Sequence, residues 1–125
     1  MDGDDVKQGL EVALSVAIRD LDPDVRAKHE FCIVRAGPRG DMFVGLEDGR
    51  FWSGGTPLSA GNEVEALSSV AEGLQDCLME VLWIVWPECP QHRFGLHVAV
   101  HNSKDAVWEC RGDRRHTVAL VGGLT

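Results

Sequence analysis

Residues 63–86 leave this chain little choice of fold. Leu67, Val70, Leu74, Cys77, Leu78, Val81 and Val85 recur along them at three- and four-residue spacing, and no proline interrupts the run before Pro87. Side chains so spaced share one face of an α-helix, and proline removes the backbone donor that would carry the helix further. The sequence predicts a long helix from about Glu63 to Trp86, announced by Asn62 and Glu65 at the offset of a capping box. Its last two turns are apolar nearly all round. That is the pattern of a helix covered on several sides, by sheet on one and by another helix or a partner subunit on another.

The remaining segments supply what could cover it. Val6, Leu10, Ala13, Leu14, Ala17, Ile18 and Leu21 predict an amphipathic helix from Asp5 to Leu21, with Asp5 and Gln8 at capping-box offset and Asp22-Pro23 as the stop. "HEFCIVRAG", "DMFVGL" and "RFWSG", divided by "GPRG" and "EDGR", read as a three-stranded antiparallel meander. "GGTPLSAG" is a loop on composition, and without a lysine it is no phosphate-cradling loop. "FGLHVAVH", "AVWEC" and "HTVALV", with turns at "NSKD" and "RGDR", read as a second, smaller three-stranded antiparallel β unit. The expected architecture is α+β in a single domain, with helix and meander in residues 1–61 and the long helix and terminal β unit in residues 62–125. A chain of 125 residues, 44% of them hydrophobic, buries about two-thirds of its unfolded surface, so neither metal nor disulfide is needed for bulk stability. Any such feature is local.

Charge narrows the partners. Twenty acidic against twelve basic residues give a formal net charge of −8, which opposes nucleic acid, whose binding rests on Lys and Arg neutralising phosphates. Arg111, Arg114 and Arg115 form the one basic cluster, with Asp113 inside it, and read as a solvated turn. The N-terminal "MDGDDVKQ" lacks the basic and then apolar regions of an export signal, so a cytoplasmic protein is expected. No membrane span is expected either, because the most apolar run, "CLMEVLWIVW", is short and holds Glu80.

In a reducing compartment four cysteines are thiols or metal ligands before they are disulfides. Cys89 and His92 follow the long helix, and Cys110 and His116 flank the last turn, in the pattern Cys-x2-His, seventeen residues, Cys-x5-His. Zinc takes four nitrogen or sulfur ligands, commonly as two close pairs from turns, and two Cys with two His make a closed site of no net charge. His97 and His101 compete with His116 for the fourth position. The other reading is a proline-stiffened turn with two half-buried thiols. Cys32, inside "FCIV", and Cys77, on the apolar helix face, read as inert core thiols, and His29 lies three residues from Cys32, on the other face of a strand. Trp83 and Trp86 fall one helical turn apart. Core packing explains them, as does an aromatic patch for a protein partner, since Trp is enriched at binding hot spots.

The order "WPECPQH", "AVWEC" and "HTVALVGGL" resembles a group of small cytosolic actinobacterial proteins. Those carry Trp-Pro-x-Cys-Pro-x-His after a helix, then a Trp-x-Cys strand and a short terminal strand. The likeness covers about residues 75–125 and marks Trp86, Pro87, Cys89, Pro90, His92, Trp108 and Cys110. It implies that Cys89, His92 and Cys110 act as one unit. It implies no reaction, and His116 departs from the pattern.

Two functions follow as expectations. The first is a non-catalytic protein-interaction or regulatory domain, with or without structural zinc pinning the terminal hairpin, in which Trp83 and Trp86 at the helix end, or else a sheet edge, meet a protein partner or a second copy. The alternative is a metal-dependent hydrolase in which Cys89, His92 and Cys110 leave a fourth position to water. Glu88 and Glu109, each beside a cysteine, are the carboxyls closest in sequence to serve as its base.

Overall fold

Helix α1 spans Gly3–Ala17 and buries Leu10, Ala13, Leu14 and Ala17, one face at helical spacing. The computed structural model describes residues 3–112 and 114–124, so Asp2 of the acidic N-terminus and Asp113 of the arginine-rich turn lie outside the described residues. Asp5 and Gln8 fall inside α1 and form no capping box, because the helix begins two residues earlier. Ile18–Asp20 tightens into a 3-10 turn and Leu21 is buried beyond it. Pro23 then opens a short helix, α2 (Pro23–Lys28), that the sequence reading lacks. Proline fits the first helical position, where its missing N–H would have had no partner.

Strands β1 (Phe31–Ala36) and β2 (Asp41–Leu46) pair antiparallel, from Phe31 opposite Leu46 to Ala36 opposite Asp41. The expected third strand of this meander does not form. "RFWSG" meets the sheet at a single bridge, Phe51 to Gly45, where a Cβ on the glycine would lie 2.9 Å from that of Phe51. Beyond it Gly54, Gly55 and Pro57 neither pack nor donate as a ladder requires.

Helix α3 (Glu63–Leu82) is central. Asn62 Oδ1 caps it by accepting from the Glu65 N–H at 2.9 Å. It buries Ala66, Val70, Ala71, Leu74, Cys77 and Leu78 against α1, β2 and the C-terminal sheet. The helix ends at Leu82, short of Trp86. Trp83 turns left-handed (φ 59°, ψ 35°), and its N–H bonds Met79 O at 3.2 Å while the Ile84 N–H bonds Leu78 O at 2.9 Å. This turn drops Trp86 into the core, where its indole donates to Asp20 O at 3.1 Å and meets the Trp108 ring edge-on at 5.2 Å. A helix continued to Pro87 would have left Trp86 beside the exposed Trp83. Burial of one large aromatic therefore outweighs further helix.

Strands β3 (His97–His101), β4 (Asp105–Cys110) and β5 (His116–Leu120) form the expected antiparallel three-stranded unit, in that order. It does not join the β1–β2 sheet. One hydrophobic cluster nevertheless runs from α1 through both sheets and α3 to Cys89 and Cys110. Asp20 ties the two ends of the chain, since its buried carboxyl accepts from Trp108 Nε1 at 2.7 Å, from the Gly122 N–H, and from the Leu124 N–H at 2.8 Å. No helix among the described residues is long and apolar enough to cross a membrane.

Candidate metal centre

After the cis Trp86–Pro87 peptide the chain folds back on itself. The Leu96 N–H bonds Pro87 O, the Cys89 N–H bonds Phe94 O, and the Arg93 N–H bonds Cys89 O, at 2.7–2.9 Å. Arg93 takes the left-handed conformation (φ 62°) that closes this turn. The turn brings the N–H groups of Gln91 and His92 onto the Cys89 sulfur. The other half of the centre is built by strand register. Cys110 ends β4 and stands directly opposite His116, the first residue of β5, and opposed residues of an antiparallel ladder share a face. The Gly112 N–H bonds the Cys110 sulfur.

These two halves meet. One donor atom from each of Cys89, His92, Cys110 and His116 lies within 4.8 Å of all the others. His92 Nδ1 is 3.5 Å from Cys89 Sγ, 3.4 Å from Cys110 Sγ and 3.3 Å from His116 Nε2, and Cys89 Sγ is 3.6 Å from His116 Nε2. Both cysteines are fully buried, His116 is half-buried and His92 is exposed. The sulfurs therefore form the floor, and the two imidazoles, edge to face at 5.2 Å, form the outer wall.

The surroundings of the two sulfurs shift them in opposite directions. Burial raises the Cys89 thiol, yet the N–H groups of His92 and Gln91, with the His92 and Cys110 side chains, outweigh it and lower the group to about 6. Cys110 moves the other way, raised by burial and by the neighbouring Cys89 sulfur against the pull of the Gly112 N–H. Backbone donors thus favour the thiolate outright at Cys89 and are outweighed at Cys110, where a cation between the sulfurs would cancel the repulsion that raises the group. The four residues can hold a metal ion.

Other candidates fall away from the centre. His97 and His101 lie along β3, outside the cluster, and His101 faces Glu109 at 3.5 Å. Glu109 also accepts from Arg111 Nε at 3.1 Å, and that guanidinium holds its carboxyl below the usual range. Burial raises the Cys32 thiol and pushes Cys77 up to about 11, as inert thiols require. Trp83 and Trp86, taken together as an aromatic patch, are separated: Trp83 is 89% exposed and Trp86 is 6% exposed. The N–H donors from Gln91, His92 and Gly112 escaped the sequence reading because backbone groups leave no residue signature. No protein-family model, curated protein or solved structure matches this chain.

Proposed function

We propose that this chain is a small protein-interaction domain, stapled by structural zinc and without catalytic activity of its own. The observation that carries the reading is the spacing of the four donor atoms. Zinc bonds of about 2.3 Å to sulfur and about 2.0–2.1 Å to nitrogen, at tetrahedral angles, give edges of about 3.6 Å for S···N and about 3.3 Å for N···N. Four of the six separations here are 3.5, 3.4 and 3.6 Å for S···N and 3.3 Å for N···N, and the other two, Cys89 to Cys110 and Cys110 to His116, lie within 4.8 Å. Two thiolates and two neutral imidazoles also balance a dication, and their softness favours zinc over magnesium or calcium.

The hydrolytic alternative needs an open fourth position and a base. His116 supplies the fourth donor, and Glu109 is engaged by Arg111 and His101. Four filled positions favour structure over catalysis. The four free cysteines fit a reducing compartment, and we place the domain in the cytoplasm.

Elemental analysis of protein purified without a metal-affinity tag tests the reading. The expected result is about one zinc per chain, lost in Cys110→Ser and in His116→Ala, with cobalt substitution giving a tetrahedral S2N2 spectrum. Absence of metal with Cys89 and Cys110 freely reactive would reduce the centre to a proline-stiffened turn. Zinc retained by His116→Ala with a water ligand would favour the hydrolase.

A further inference from the structure

Beside the metal centre, between α3 and the segment that follows it, lies an open groove of about 540 Å³. Asp76 and Met79 of α3 line it together with Val85, Phe94, Leu96 and Arg111. Met79, Val85 and Phe94 are 46%, 56% and 57% exposed. One helical turn beyond Met79 stands Trp83, almost wholly in solvent and with a left-handed backbone. Glycine or asparagine is the usual residue at such a helix end, because a bulky side chain is strained there. Burial of Trp86 accounts for the left-handed turn at position 83 but not for a tryptophan there, since the indole of Trp83 is 89% exposed and no packing among the described residues offsets that exposure. Exposure of this kind is held where a surface is used.

Charge identifies the occupant. Glu72, Asp76 and Glu80 follow one another at four-residue spacing along α3, where like charges repel. Asp76 lines the groove while Glu72 and Glu80 flank it along the helix; none of the three has an ion-pair partner among the described residues, and Arg111, which also lines the groove, is engaged by Glu109. Burial and then the adjacent carboxyl raise both Glu72 and Asp76, and the pull of Arg111 on Glu72 only partly opposes this. A second copy of a chain of net charge −8 would add to this repulsion, whereas a cationic segment would relieve it. We propose that the groove and Trp83 dock a segment of a partner protein in which large apolar side chains are flanked by Lys and Arg. This deepens the interaction-domain reading and rests on it. Phe94, Leu96 and Arg111 belong to the loops that hold the metal ligands, so the staple shapes the groove.

The test is calorimetric titration of the full chain, its zinc content measured beforehand, with a tryptophan-free amphipathic peptide of leucine and lysine. The expected result is saturable binding, lost with the glutamate-for-lysine peptide. It should weaken about tenfold or more in Trp83→Gly, which suits the left-handed cap, and in Asp76→Asn/Glu80→Gln. The control Asp5→Asn/Glu11→Gln removes equal charge from α1 and should leave affinity within about twofold. Equal weakening by the control, unchanged binding in Trp83→Gly, or no binding at all overturns the proposal. So does a wild-type dimer in sedimentation that Trp83→Gly makes monomeric, which would put a second copy in the groove. Zinc-loaded protein that ignores the peptide refutes the groove alone. Protein without metal refutes the staple whether or not the peptide binds.

Discussion

Asp20 is one of twenty acidic residues, yet it is 2% exposed, with both carboxyl oxygens on N–H donors from Trp108, Gly122 and Leu124. Truncating it strands these donors, and a buried donor without a partner costs about 1–3 kcal/mol. Gly122 and Leu124 lie where water can reach part of them, so the full sum is not expected. Asp20→Ala should lower the unfolding free energy by about 3–5 kcal/mol, read from denaturant midpoints at constant slope, and Asp20→Asn by less. A loss under about 1 kcal/mol would mean that water replaces the carboxyl. Nothing in "RDLDP" announces this role, because a buried carboxyl is recognised only by donors that sit about a hundred residues away. The residues of the candidate centre were legible for the opposite reason: Cys and His are scarce, and their paired spacing survives in one dimension. What the spacing left open between His97, His101 and His116 was decided by the β4–β5 register, which sets Cys110 opposite His116.

At the level of elements, periodicity placed α1, α3 and the C-terminal sheet and failed where tertiary contacts override it. Ile84, Val85 and Trp86 continue the helical pattern, and no Gly or Asn marks the stop at Leu82. The stop exists because Trp86 is worth more beneath Trp108 than on a helix. Pro23 misled in the other direction, since a proline after Asp22 closes one pattern and opens the next equally well. Trp83 makes the α3 terminus testable. Relief of a left-handed side chain is worth about 1–2 kcal/mol, and the added freedom of an unfolded glycine takes back about 0.5–1 kcal/mol. Trp83→Gly should therefore stabilise the protein by about 0.5–1 kcal/mol, a few degrees in Tm, while it weakens peptide binding. A loss of stability would show that Trp83 packs within the chain.

Across the whole molecule the Cys/His cluster brings the turn after α3 against β4 and β5, and Asp20 joins that sheet to the turn that follows α1. A single hydrophobic cluster runs through both connections. The two halves read from the sequence, residues 1–61 and 62–125, should consequently unfold together. Thiol chemistry follows what the metal does locally. At pH 8 the Cys77 thiol, pushed up to about 11, is thiolate in only about one molecule in a thousand. A chelator should expose Cys89 as the fast thiol, with Cys110, raised by burial and by the Cys89 sulfur, reacting more slowly, and leave Cys77 silent until the chain unfolds. Calorimetry follows what the metal does globally. A ligand at a thousand times its Kd stabilises the folded state by about 4 kcal/mol, and for a domain of this size about 1 kcal/mol corresponds to about 3–5 °C. If zinc is bound as proposed, removing it should lower Tm by about 10–20 °C in one transition, because the buried sulfurs sit in the same core as α1 and α3. Two separated transitions would mean that the C-terminal sheet melts by itself and that the Asp20 connection is too weak to carry the loss to the rest of the fold.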